Sequence, residues 1–137
     1  MSFGAARPRP RLDRDNRVFW TGGAQGHLMI CRCGDCGKWL HPPQPLCRGC
    51  WSENVAAQPT CGRGVVDSYT INHQPWMPGL EVPFVIARVA LEEDPSIYLT
   101  TNIVGCAPEE VAVGDAVQVT FEEDEGIFFP LFEKVAQ

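Results

Sequence analysis

The stretch "CRCGDCGKWLHPPQPLCRGC", residues 31–50, holds five of the seven cysteines and constrains the fold more than any other feature. It contains two C-x2-C pairs separated by ten residues, Cys33 with Cys36 and Cys47 with Cys50. Two such pairs bring four thiolates to a tetrahedral zinc ion. Gly37 suits the tight turn of a metal-binding knuckle, and the proline-rich segment between the pairs is typical of a zinc ribbon. The sequence therefore predicts a structural zinc site.

Other uses of clustered cysteines fit less well. A redox pair needs one C-x-x-C motif near a βαβ unit, whereas this chain has two pairs and no such unit. A fully paired disulfide framework conflicts with the odd count of seven cysteines. Catalytic zinc keeps one coordination position open, and four cysteines close it. We therefore expect the metal to contribute folding energy alone.

Two further residues in the cluster are candidate ligands. Cys31 could replace Cys33, but the spacing from Cys31 to Cys36 fits a knuckle less well, so we expect Cys31 to be a strand residue beside the site. His41 could also bind metal. Its position before Pro42 and Pro43 favours a surface loop residue instead.

The segment before the cluster, residues 1–27, combines an Arg/Pro tail with one short helix. The tail, residues 7–11, is predicted to be extended or disordered. Asp13 or Asp15 is a candidate helix cap, and Gly22-Gly23 ends the helix. A helix this short is not stable alone, so Phe19 and Trp20 must pack within the chain or on a partner.

The segment after the predicted zinc ribbon, which covers residues 28–60, contains repeated sequence patterns typical of β-strands. Apolar and β-branched residues predict five strands, at residues 64–73, 83–92, 96–104, 115–123 and 126–133. A short helix is predicted from Pro108 between the third and fourth strands. This is the order of an OB-fold, a small Greek-key barrel. The predicted fold is therefore mainly β: a short helix (1–27), a zinc ribbon (28–60) and a five-stranded OB-fold barrel (61–137).

The connection "NHQPWMPGLEVPF", residues 72–84, is longer and more apolar than a hairpin between two strands requires. Trp76 and Met77 in this loop need a burial partner. Either the loop folds over one end of the barrel, or it lines a ligand pocket or contacts another protein.

Charge is divided unevenly along the chain. Residues 1–50 hold eight Arg/Lys against three Asp/Glu, and residues 51–137 hold three against fourteen. Zinc ribbons and OB-folds both occur in nucleic-acid-binding proteins, so that function is the main alternative. The net charge of −11 in residues 51–137 argues against nucleic-acid binding, because a nucleic-acid-binding barrel would be expected to have a basic groove.

Localisation follows from two further observations. No apolar run reaches the roughly 20 residues that span a bilayer, so no membrane association is expected. The N-terminal residues lack the apolar stretch of a secretory signal. We therefore expect a cytoplasmic protein.

The chain offers no predicted catalytic residue. Cys61 and Cys106 have no histidine beside them in sequence, and a cysteine nucleophile needs a base. The three histidines, His27, His41 and His73, are scattered, and the sequence has no Gly-rich phosphate loop. We expect the chemistry to lie in a partner.

The order of these motifs resembles a known family. A helix with "FW" precedes the C-x2-CG…PP…C-x2-C ribbon, which is followed by "GRGVVDSYTINH", "PFVIARVALEE", "TTNIVG", "VGDAVQVTFEE" and "PLF". This pattern, from Asp13 to Phe132, resembles acyl-CoA-associated OB-fold proteins with a rubredoxin-like zinc ribbon. The "HPPQPLC" and "LDRDNRVFW" segments are most similar to one branch. That branch is the C-terminal domain of the steroid side-chain enoyl-CoA hydratase large subunit, which pairs with a thiolase-like aldolase of the lipid-transfer-protein type.

The resemblance implies an accessory subunit, or an excised domain, that is not an enzyme on its own. Its partner would be a thiolase-like aldolase that cleaves a steroid side-chain β-hydroxyacyl-CoA, or a thiolase-type acyltransferase. The family's zinc ligands match Cys33, Cys36, Cys47 and Cys50, so Zn2+ is the implied cofactor.

We also expect two apolar surfaces to contact the partner, with the acyl-CoA substrate near the interface and no nucleic acid bound. The expected interface residues are Phe19, Trp20, Trp76 and Met77, since aromatic residues and methionine commonly anchor interfaces. His73 and Trp76 are candidate substrate contacts.

Overall fold

The computed structural model describes residues 7–135 of the chain, and it begins with a short helical segment. An α-helix, α1, covers Arg17–Thr21 and continues into a 3-10 helix at Gly22–Gln25. Asn16 occupies the N-cap, so neither Asp13 nor Asp15 is the cap that the sequence predicted. Asp13 instead shapes the preceding turn, because its carboxylate accepts the backbone N–H of Asp15 at 2.9 Å and of Asn16 at 2.8 Å.

The cysteine-rich segment forms a three-stranded antiparallel sheet. Its strands are β1 (Met29–Cys33), β2 (Trp39–Leu40) and β3 (Val55–Pro59), in the order β2-β1-β3. A ribbon with so short a β2 buries few apolar side chains, so the strands need a further constraint to stay together.

The following segment forms a closed five-stranded barrel. Its strands are β4 (Arg63–Asn72), β5 (Phe84–Leu91), β6 (Tyr98–Val104), β7 (Ala116–Asp124) and β8 (Ile127–Lys134). The order around the barrel is β4-β5-β6-β8-β7, with β6 and β8 parallel and all other neighbours antiparallel. A 3-10 helix at Pro108–Glu110 lies between β6 and β7. The predicted fold class, with its five strands and helix, is confirmed.

The main hydrophobic core joins all three parts of the chain. Barrel residues such as Val66, Val89 and Phe132 form one cluster with Phe19 of α1 and with Leu28 and Ile30 at the start of the ribbon. The side-chain hydroxyl of Thr60 also donates to the Leu28 carbonyl oxygen at 2.8 Å, where the ribbon leads into the barrel. The helix and the ribbon therefore pack directly on the barrel.

From Ile127 to Phe132, strand β8 is buried or half-buried on both faces. Phe132 lies in the main core, whereas Ile127, Phe129 and Leu131 form a second cluster with Leu12 and Trp20 on the outside of the barrel. This double burial explains why "GIFFPLF" is a continuous apolar run and does not alternate.

The Arg/Pro tail, from Arg7 onward, contacts the acidic β7–β8 hairpin. Arg7 lies 3.4 Å from a carboxylate oxygen of Glu122. Arg9 pairs with Glu125 and lies 3.5 Å from Asp124. The tail has no helix or strand, as predicted, but it is ordered against the barrel by these ion pairs.

No helix within residues 7–135 is both long and apolar enough to cross a bilayer.

Gly23 allows the 3-10 helix to approach the barrel closely. A Cβ atom at this position would lie 2.5 Å from Phe128 Cβ and 2.7 Å from Phe121 Cδ1. Gly23→Ala should therefore lower the free energy of unfolding by about 1–3 kcal/mol, measured by urea denaturation. Ala24→Ser, at the exposed neighbouring position, should change it by less than about 0.5 kcal/mol. Equal stability of Gly23→Ala and the parent would contradict this packing.

Candidate metal centre and exposed surfaces

The structure brings the four predicted ligands to one point. The Sγ atoms of Cys33, Cys36, Cys47 and Cys50 all lie within 4.8 Å of one another. The Cys33–Cys50 and Cys36–Cys47 sulfur pairs are each 3.6 Å apart. Sulfurs at about 2.3 Å from a tetrahedral zinc ion lie roughly 3.8 Å from each other. The four sulfurs therefore fit zinc, which confirms the predicted cofactor.

Backbone N–H groups in each knuckle point at a sulfur. The N–H groups of Asp35 and Cys36 both donate to Cys33 Sγ at 3.4 Å. The pKa of the Cys33 thiol is lowered to about 6, and the hydrogen bond from the Cys36 N–H is the largest cause. Backbone N–H groups of Cys50 and Gly49 likewise lower the pKa of Cys47. These donors favour the thiolate, which is the form that binds a metal ion.

Polar contacts outside the sulfur cluster tie the two knuckles together. Asp35, in the first knuckle, accepts a hydrogen bond from the Ser52 hydroxyl, and it accepts one from Asn54 Nδ2 at 3.2 Å. The N–H of Gly34 donates to the Asn54 carbonyl oxygen at 2.7 Å. These bonds fix the distance between the two cysteine pairs, because each one crosses from the first knuckle to the segment after the second.

Cys31 and His41 both lie outside the sulfur cluster. Cys31 is a buried residue of β1, opposite Leu40 and Ala57, and burial raises the pKa of its thiol. His41 is half-buried and its ring packs 5.2 Å from the Phe19 ring. His41 lies in the loop after β2 and not in the sulfur cluster, as expected, but its contact with Phe19 leaves it less exposed than a surface residue.

The remaining predicted site residues lie in two separate regions, one mostly buried and one exposed. Phe19 is only 7% exposed and belongs to the main core, and Trp20 is half-buried against Phe19 and Phe129. By contrast, Trp76 is 73% exposed on the β4–β5 loop, where Met77 and His73 are also exposed. The Trp76 indole N–H donates to Asn72 Oδ1 at 2.9 Å, which orients the ring. The predicted partner contacts of Phe19, Trp20, Trp76 and Met77 stay predictions. So do the predicted substrate contacts of His73 and Trp76.

One feature was not predicted from the sequence, a cleft between the barrel and the layer formed by α1 and the ribbon. It has a volume of about 540 Å3, and Trp20, His41 and Asn102 are among the residues that line it. Its lining residues come from six separate segments of the chain, so no local motif marks it. The two polar residues buried within residues 7–135, Thr101 and Asn102, stand side by side in β6 and line this cleft.

Comparison with known proteins gives a consistent result along the chain. A family model described as the ChsH2 rubredoxin-like zinc ribbon domain matches residues 20–56. A second, described as the ChsH2 C-terminal OB-fold domain, matches residues 57–122. A solved structure described as an Ltp2–ChsH2(DUF35) aldolase matches with a TM-score of 0.84 and 36% identity, covering 93% of this chain and all of the matched one.

Two curated relatives are longer than this chain. A probable enoyl-CoA hydratase alpha subunit of Thermomonospora curvata is 38% identical over 129 residues, which is 93% of this chain and 40% of that protein. A 3-oxo-4,17-pregnadiene-20-carboxyl-CoA hydratase alpha subunit of Mycobacterium tuberculosis is 38% identical over 116 residues, which is 85% of this chain and 36% of that protein. The chain thus spans about two fifths of these relatives.

The ligand assignment is tested by exchanging single cysteines. Cys36→Ser should lose most of the bound metal and unfold the ribbon, because three thiolates leave the tetrahedral site incomplete. Cys31→Ser is the matched control, since this cysteine is buried in the same sheet but lies outside the sulfur cluster. Elemental analysis should give about one zinc per chain for the parent and for Cys31→Ser. Zinc retained at full occupancy in Cys36→Ser would refute the assignment.

Proposed function

The chain belongs to the ChsH2 DUF35 family, and on this premise we propose that it is an accessory component of a thiolase-like acyl-CoA aldolase. The observation that carries the proposal is the match at a TM-score of 0.84 to a chain of the Ltp2–ChsH2(DUF35) aldolase, over the full length of that chain. In this proposal the partner supplies the catalytic groups. The chain supplies a rigid zinc ribbon and an OB-fold surface that assemble the complex and shape its substrate channel.

The proposed reaction is the retro-aldol cleavage of a β-hydroxyacyl-CoA on a steroid side chain. The bond between Cα and Cβ breaks as the β-hydroxyl loses its proton and becomes a ketone. The electron pair left on Cα then takes up a proton and gives a shorter acyl-CoA. The steroid class is supported by the name of the Mycobacterium tuberculosis relative, which specifies a 3-oxo steroid CoA ester.

The state of the free cysteines supports placing the chemistry in the partner. The Cys61 thiol donates to Glu92 at 3.1 Å, and burial together with this carboxylate raises the pKa of Cys61 to about 11. Burial also raises the pKa of Cys106. Both thiols are therefore protonated near neutral pH and are poor nucleophiles.

The exposed loop between β4 and β5 is the proposed contact with the partner. Trp76 and Met77 together present a large apolar surface, and such residues commonly dominate interface energies. His73, at the base of this loop, is proposed as a substrate contact together with Trp76. The CoA phosphates would bind the partner, since the barrel segment is strongly acidic.

The chain and its partner should be active only together. The isolated chain should not cleave a 17-hydroxy steroid side-chain CoA ester, whereas the chain co-purified with a thiolase-like protein from the same organism should release a ketosteroid and a short acyl-CoA. Product analysis by mass spectrometry checks both, with the thiolase-like protein alone as the control. Cleavage by the isolated chain, or no ketosteroid from the complex, would contradict the proposal.

Trp76→Ala should weaken assembly by about 10- to 30-fold in Kd, the loss expected for an interface anchor. Zinc content and the far-UV spectrum should not change. Trp51→Ala is the matched control, because Trp51 is 72% exposed but lies beside the metal site. Analytical ultracentrifugation or calorimetry measures the affinity. If Trp51→Ala weakens assembly and Trp76→Ala does not, the interface lies on the ribbon and not on the loop.

A further inference from the structure

One end of the cleft holds a guanidinium group between two polar side chains and an aromatic ring. Arg7 lines this end, and its Nε lies 3.4 Å from Glu122 Oε1, while its Nη1 donates to Asn102 Oδ1 at 3.1 Å. The guanidinium carbon lies 5.1 Å from the centre of the Phe129 ring. The Arg7 side chain is only 15% exposed. It is therefore held in a pocket and does not lie on an open surface.

The pocket is built on the barrel and not on the tail that fills it. Asn102, Phe129 and Glu122 stand on β6, β8 and β7, which are neighbouring strands in that order. Glu122 and Phe129 are direct cross-strand partners, so the carboxylate and the ring share one face of the barrel. Asn102 is 8% exposed, and its Nδ2 donates to the Val85 carbonyl oxygen at 2.8 Å. This bond orients Oδ1 toward the guanidinium without help from Arg7.

The three contacts favour a guanidinium group over an ammonium group. A guanidinium is planar, so it can lie over an aromatic ring while its edge donates hydrogen bonds in two directions. An ammonium is a compact, strongly hydrated charge and cannot make the same three contacts at once. The Glu122 carboxylate balances the positive charge. The pocket therefore has the chemistry of an arginine site.

The tail that carries Arg7 is attached in a way that allows exchange. Residues 7–11 belong to no helix or strand. Pro8 and Pro10 have no backbone N–H, so the tail cannot form a regular ladder of hydrogen bonds with a strand. Arg9 pairs with Glu125, but its side chain is 51% exposed, and exposed ion pairs contribute little. Arg7 can therefore leave the pocket while the barrel stays folded.

We propose that Asn102, Glu122 and Phe129 form an arginine-binding site that the free chain fills with its own Arg7 and that an arginine of the thiolase-like partner occupies in the complex. The partner rests on the proposed function, whereas the pocket rests on the contacts of Arg7. Charge favours this occupant, because residues 51–137 carry a net charge of −11. The cleft beside the pocket, about 540 Å3, has room for the segment that carries the partner's arginine. Arg7 is then a competitor that leaves on assembly.

Chemical rescue tests the pocket in the isolated zinc-loaded chain. Arg7→Ala removes the guanidinium, so ethylguanidinium at about 50 mM should raise the melting temperature of this variant by about 2 °C. Ethylammonium, which has the same charge, should not. Adding Glu122→Gln to Arg7→Ala should abolish the shift, whereas Glu123→Gln, at the exposed next position of β7, should preserve it. Equal shifts with the two cations, or no shift with ethylguanidinium, would overturn the pocket.

The affinity for the partner tests the exchange. Arg7→Ala should strengthen assembly about three- to ten-fold in Kd, because it removes the internal competitor. Arg9→Ala removes the same charge from the same tail but from outside the pocket, so it should change Kd by less than about two-fold. In the Arg7→Ala chain, Glu122→Gln should then weaken assembly about ten-fold, since no competing arginine masks the loss. Calorimetry at constant ionic strength measures each Kd.

Two results would remove the exchange. Weaker or unchanged assembly of Arg7→Ala would show that no arginine of the partner takes its place, and an equal gain from Arg9→Ala would show a general effect of charge. Cleavage of the CoA ester by each complex is measured in parallel. Intact cleavage with either result leaves the proposed function standing, whereas no cleavage by the parent complex removes the proposed function itself.

Discussion

The convergence of four cysteine sulfurs is the interaction on which the rest of the structure depends. The ribbon has a β2 strand of only two residues, and its own cluster of buried side chains is limited to Cys31, Cys33, Leu40 and Cys47. Metal–sulfur bonds replace the hydrophobic core that so small a sheet lacks. Once fixed, the ribbon places Leu28 and Ile30 in the barrel core and His41 against α1.

The outer face of β8 packs against the N-terminal segment and so joins it to the barrel. An OB-fold strand normally has one face toward the core, but Phe129 and Leu131 on the other face are buried against Leu12 and Trp20. The helix and tail therefore form a second layer over one side of the barrel. The cleft lies where this layer leaves parts of β5, β6 and β8 uncovered, and residues of all three strands line it.

Local sequence signals were sufficient for the strands and for the metal site. Alternating or continuous apolar and β-branched residues located β4 to β8 within a few residues of their observed ends. Cysteine spacing located the sulfur cluster, because both patterns depend on near neighbours. The buried position of His41 and the ion pairs of Arg7 and Arg9 were not predictable. They depend on contacts between residues about 20 to more than 110 positions apart, such as Arg9 with Glu125. Contacts between residues so far apart leave no periodic pattern in the sequence.

The parallel pairing of β6 with β8 has a consequence for the order in which the chain acquires structure during synthesis. All partners of the ribbon sheet lie between Met29 and Pro59, so that sheet can form, and take up its metal, as soon as the ribosome has released this stretch. The barrel cannot close until β8 is available, because β8 is the strand between β6 and β7. Until then the nascent barrel exposes the edges of β6 and β7. The folded ribbon, through Leu28 and Ile30, and α1, through Phe19, offer apolar side chains on which its first strands can pack.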